Sequence, residues 1–186
     1  TPLPSPGPTP SPIAGQVPVV LPTVSGVDFS KIPVNPGYNY TVSGNTWYVA
    51  TNGSDTGPGS FSAPLQTIVG AVARAASGDK VVIRGGIYSE GASGEYRAVV
   101  IDKPNLVITN YPGEQVTIQP RAGITYGFEV GRSGVILNGL NLQNFPVVGI
   151  QIGDNNGTLV SNIIITNVNI TAPAVGDRHG IMSYIG

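Results

Sequence analysis

Two short polar runs, Asp154-Asn155-Asn156 and Asp177-Arg178-His179, carry the oxygen donors that a Ca2+ ion takes. Hard divalent cations bind carboxylate and amide oxygens gathered on a tight loop, so Asp154, Asn155 and Asp177 are the metal candidates. The same residue types also make sharp chain reversals, because Asn and Asp side chains hydrogen-bond their own backbone, and that reading stands beside the metal one. His179 is the single histidine, and it has no nucleophile or carboxylate at a spacing that would define a catalytic triad. A second set lies at equivalent positions of successive apolar repeats: Glu129, Gln151 and Met182, flanked by Arg132 and Arg178. Glu129, Gln151, Arg178 and His179 are therefore candidates for contact with a polysaccharide chain, the alternative being a solvated sheet surface. Tyr88, Tyr96, Tyr111 and Tyr126 are candidate stacking platforms for pyranose rings. No residue is assigned a catalytic role.

The elements that must position these residues are set by a repeat. Gly134-Val135-Ile136-Leu137-Asn138-Gly139-Leu140-Asn141-Leu142 returns as Asn162-Ile163-Ile164-Ile165-Thr166-Asn167-Val168-Asn169-Ile170, with Ile163 lying 28 positions after Val135. Each copy has two alternating apolar residues, a polar corner and two more alternating apolar residues, which reads as strand, bend, strand. Self-similarity at such a period marks a solenoid whose repeats bury their apolar faces only by stacking on neighbours. From Asp79 onward the pattern supplies Val81/Ile83, Ile87, Val99/Ile101, Leu106/Ile108, Val116/Ile118, Phe128/Val130, Val135/Leu137, Leu140/Leu142, Ile150/Ile152, Ile163/Ile165, Val168/Ile170 and Ile181/Ser183. Taken in threes, these give about four coils of three short strands. Before them Leu65, Ile68, Val69 and Val72 recur at helical spacing, which predicts an amphipathic helix over about 64–76 with Pro64 in its first turn.

Composition bounds the rest. Nine Lys+Arg against ten Asp+Glu leave a net charge of −1, and only 10% of the 186 residues are charged. That balance offers no electrostatic case for nucleic acid. No apolar run approaches the ~20 residues of a membrane-spanning helix. Cysteine is absent, so disulfides and thiolate metal sites are excluded. The start at Thr1 is read as a mature or cropped product. Prolines at every even position from Pro2 to Pro12 predict a stiff extended spacer, and residues 1–40 together read as a Pro/Gly-rich arm or linker ahead of a domain at 41–186. Asn39, Asn52, Asn156 and Asn169 each open an Asn-X-Ser/Thr pattern.

The run Trp47-Tyr48-Val49-Ala50-Thr51-Asn52-Gly53-Ser54-Asp55, with Pro58-Gly59, Pro64, Thr67-Ile68, Ala71-Val72, Gly78-Asp79 and Gly86-Ile87-Tyr88, resembles the start of secreted right-handed parallel β-helix proteins. It is similar to the opening of family 9 pectate lyases, chondroitinase-B-like lyases and uncharacterised β-helix surface proteins. The resemblance implies an all-β, pectate-lyase-like right-handed parallel β-helix with an N-terminal capping α-helix, at the cell surface or outside the cell. It also implies Ca2+-assisted removal of a uronate proton by Lys or Arg, but no motif for that machinery stands in this sequence. Two functions follow as expectations. One is the N-terminal part of a protein engaging polysaccharide, with any lyase or hydrolase residues mostly beyond residue 186. The other is a structural or adhesive filament subunit that self-associates through residues 1–40 and an open C-terminal coil.

Overall fold

Alternating apolar residues separated by short polar corners leave each strand with one face to bury and both edges to pair. The computed structural model, which describes residues 44–153, 159–173 and 179–183, satisfies both needs by coiling. Among these described residues thirteen strands lie in three parallel sheets, all pairings being between successive turns of the chain. The first sheet holds β1 (Thr46–Val49), β2 (Lys80–Ile83), β5 (Val107–Asn110), β8 (Ile136–Asn138) and β11 (Ile164–Thr166) in that order. The second holds β3 (Gly86–Glu90), β6 (Val116–Pro120), β9 (Leu140–Gln143) and β12 (Asn169–Thr171). The third holds β4 (Arg97–Ile101), β7 (Tyr126–Val130), β10 (Val148–Ile152) and β13 (His179–Ser183). Each coil gives one strand to each sheet, which makes a parallel β-helix of four coils with β1 added ahead of the first. Parallel crossovers of L-residues turn to the right.

Register aligns like with like. Val81, Ile108, Leu137 and Ile165 stand in one interior column, Tyr88, Ile118, Leu142 and Ile170 in a second, and Val99, Phe128, Ile150 and Ile181 in a third. In the first three coils every member is buried, and each such side chain contributes roughly 1.5–3 kcal/mol by leaving water. One position departs from the expected parity. Ile87 is 64% exposed, whereas Tyr88 is 3% exposed and points inward, its hydroxyl donating to Arg84 O at 2.7 Å. Ile87 instead pairs with Thr117 on the outer face. Corners repeat as well: Asn105 (φ 57), Gly134 (φ 76) and Asn162 (φ 55) turn equivalent bends, as do Gly139 (φ 69) and Asn167 (φ 52). Asn tolerates this left-handed geometry and adds a ladder, Asn167 Nδ2 donating to Asn138 Oδ1 and Asn138 Nδ2 to Thr109 Oγ1, both at 2.9 Å.

Helix α1 spans Ile68–Arg74, shorter than the expected 64–76. Pro64 is not in it, because Leu65 pairs with Val49 as an isolated bridge and bonds Tyr48 O and Ala50 N. The helix therefore begins only after Thr67, whose side chain accepts from Gly70 N, and ends at an extended Ala75. Ile68, Ala71 and Val72 are buried in the common core at the β1 end of the coils. The expected arm, residues 1–40, lies outside the described residues, as does any role for it in assembly.

Candidate functional site

The repeat places Val100, Glu129, Gln151 and Met182 in one column on the outer parity of β4, β7, β10 and β13, which is the alignment expected for the last three. Val100 is exposed, but outward parity does not leave the two middle, polar members in water. Glu129 is 6% and Gln151 1% exposed. Buried polar groups must find partners, and these do: Gln151 Nε2 donates to Glu129 Oε2 and to Gly153 O, each at 3.2 Å. Glu129 Oε2 also forms an ion pair with Arg97 Nε. Arg97 starts β4 beside Tyr96, and its guanidinium lies 4.1 Å over the Tyr96 ring. Tyr96 meets Tyr126 edge to face at 5.4 Å, with Tyr96 39% exposed. One edge of this sheet thus carries two aromatic rings, a guanidinium, a carboxylate and a carboxamide in contact. Arg132, at the far end of β7, donates from Nη1 to Gly131 O at 2.6 Å.

The other sequence candidates divide. Asp154, Asn155, Asp177 and Arg178 lie outside the described residues. The backbone of His179 opens β13 opposite Val148. Tyr88 is withdrawn as a stacking platform, since it is an interior residue; burial and the charges of Glu114 and Glu90 push its hydroxyl up to about 12. Tyr111 joins a different cluster, with Phe61. Asn52 and Asn169 are exposed, whereas Asn39 and Asn156 lie outside the described residues. Among the described residues no three His, Asp or Glu groups gather as metal ligands, so no step through Ca2+ is derived.

The acidic residues of the described N-terminal region are engaged in building the fold. Asp55 accepts from Gln66 N, Thr67 N and Thr67 Oγ1 at 2.8, 2.9 and 2.7 Å. Glu90, 1% exposed, accepts from Ile68 N at 2.9 Å and Val69 N at 3.2 Å, so with Asp55 and Thr67 it satisfies donors at the start of α1. Sequence reasoning missed Arg97 and Phe61. The signals were there: an Arg directly after a tyrosine at a strand start, and a lone aromatic in the polar run Ser60-Phe61-Ser62.

Residues 47–182 match the family described as Pel9A-like, right handed beta helix region. The chain belongs to that family. It is 28% identical over 152 residues to the uncharacterized protein YwoF of Bacillus subtilis (strain 168), a match covering 74% of this chain and 32% of that protein. Among solved structures it is similar to pectate lyase Pel9A (TM-score 0.53, 18% identity, 67% of this chain and 33% of that one). It is also similar to a rhamnogalacturonan lyase (TM-score 0.50, 21% identity, 59% of this chain and 33% of that one). At these identities the likeness is one of fold. The chain spans about a third of the length of each.

Proposed function

We propose that this chain is part of an extracellular β-helix protein that engages acidic polysaccharide along the outer edge of β4, β7 and β10. The observation that carries the reading is the Tyr96–Tyr126 pair beside Arg97. Aromatic faces take the C–H face of a pyranose, and a guanidinium in the same cluster favours a ring bearing a carboxylate. Glu129 and Gln151 then serve as positioning residues that hold Arg97 against Tyr96. Two similar solved structures are named as lyases, of pectate and rhamnogalacturonan, which supports the substrate class. A lyase reaction is assigned to no described residue.

Affinity electrophoresis tests the proposal. The protein should be retarded in gels containing polygalacturonate more than in gels containing a neutral β-1,4-glucan, and Tyr96→Ala should weaken the acidic retardation about five- to tenfold, the value of one stacked ring. Equal mobility in every polysaccharide gel would sink it.

A further inference from the structure

A second aromatic cluster lies away from that sheet edge, at the bends joining the first and second sheets. Tyr48 of β1, Phe61 of the loop before α1, Arg84 between β2 and β3, and Tyr111 and Glu114 between β5 and β6 converge there. Phe61 meets Tyr48 edge to face at 5.3 Å and Tyr111 at 6.0 Å with the rings tilted by 41°. Arg84 spreads its guanidinium 4.7 Å over Tyr111 and 5.2 Å over Phe61. Glu114 fixes that guanidinium by accepting from Nε at 3.0 Å and from Nη2 at 2.8 Å, and accepts from Gly85 N at 2.5 Å.

None of these five residues belongs to the buried core, so packing the coils does not require them. Phe61 is 52% exposed, a large apolar ring presented to water at the centre of the cluster. Mutual hydrogen bonding and attraction hold Glu114 below and Arg84 above its ordinary ionisation range, so both stay charged across neutral pH. Arg84 Nη1 makes no hydrogen bond among the described residues, whereas each Glu114 carboxylate oxygen already takes two contacts and serves to fix the guanidinium. An open aromatic ring beside a rigidly held, planar donor group is the chemistry that recognises a sugar: the ring takes the apolar face and the free guanidinium N–H groups take an adjacent hydroxyl. A protein partner fits less well, because a fixed charged pair at the centre of an interface must be desolvated.

We infer that Tyr48, Phe61, Arg84, Tyr111 and Glu114 form a second polysaccharide-binding surface, which stacks a pyranose ring on Phe61 and hydrogen-bonds a hydroxyl through Arg84 Nη1, with Glu114 holding the guanidinium in place. The inference extends the polysaccharide reading to a separate site and is tested separately. Oligogalacturonides serve as the acidic probe and xylo-oligosaccharides as the neutral one, titrated into the whole chain while the Phe61 ring resonances are followed by NMR. At least one probe should shift those resonances, and Phe61→Ala should weaken that binding about five- to tenfold while Phe61→Trp retains it. Phe61 is outside the core, so melting temperatures of the variants should match the parent. If Tyr96→Ala abolishes sugar binding and Phe61→Ala leaves it unchanged, the second surface is refuted and the first proposal stands. If Phe61→Ala alone weakens it, the second stands and the first falls. Lack of binding by both probes, or a dimer in sedimentation that Phe61→Ala dissolves, overturns the inference.

Discussion

Both carboxylate oxygens of Asp79 are taken by donors from separate segments: Asn45 N at 2.7 Å, Trp47 Nε1 at 2.8 Å and Ala76 N at 2.8 Å. One residue thus ties β1 to the end of α1 and to the start of β2. Burial opposes its ionisation, but these three hydrogen bonds outweigh it and hold its carboxyl below the ordinary 3.8. A depressed value contributes stability that is present above 3.8 and is lost as the pH falls through the folded-state value. Asp79→Asn should therefore cost about 1–3 kcal/mol at neutral pH, and its melting-temperature deficit should shrink below that point. Glu90 has the opposite sign. Burial raises its carboxyl above 4.5 despite the Ile68 and Val69 N–H groups, so its contribution is fullest below 4.5 and falls as the pH rises through the folded-state value. The melting-temperature advantage of the parent over Glu90→Gln should narrow with rising pH, where that over Asp79→Asn widens. Parallel curves for the two variants would show that neither carboxylate has the environment described.

At the scale of elements, α1 is the least self-sufficient piece. Seven residues are too few for an isolated helix in water, so its ends are held from outside. Thr67 caps the first turn, Asp55 fixes Thr67, Glu90 takes the next two donors, and Lys103 Nζ donates to Val72 O at 3.0 Å. Thr67→Ala should cost about 1 kcal/mol and lower the melting temperature by roughly 2–4 °C for a chain of this size. A loss below half a degree would place the helix's stability in its core contacts alone. The helix was legible in the sequence from the spacing of Ile68, Val69 and Val72. Its start was not, because the Leu65–Val49 bridge that delays it joins residues distant in the chain. Strand parity was readable wherever apolar residues alternate and failed at Ile87-Tyr88, where either residue could be the apolar one. The Glu129–Gln151 column followed from the repeat, whereas its burial and the ion pair with Arg97 depend on contacts between coils that periodicity does not encode.

Stacking gives the described β-helix a stability that varies along its axis. Each coil touches only its neighbours, so a coil's protection depends on how completely those neighbours cover it. The interior columns show the gradient: Val81, Ile108 and Leu137 are fully buried, while Ile165 in the same column is half-buried. In the second sheet Ile118 and Leu142 are buried and Ile170 is half-buried; in the third, Phe128 and Ile150 are buried and Ile181 is 50% exposed. The middle coils have apolar partners on both sides, whereas the coil of β11, β12 and β13 packs its inner residues against one described neighbour. Leu137→Ala should then cost roughly 2–5 kcal/mol, since it opens a cavity between covered layers, and Ile165→Ala should cost less because that side chain already meets water in part. Native-state hydrogen exchange reads the same gradient without mutation. Amides of β5 to β9 should exchange only through near-global opening, and those of β11 and β12 should exchange through sub-global opening at lower free energy. Uniform protection from β2 to β13 would mean that the last described coil is covered as fully as the middle ones, and the axial gradient would have to be abandoned.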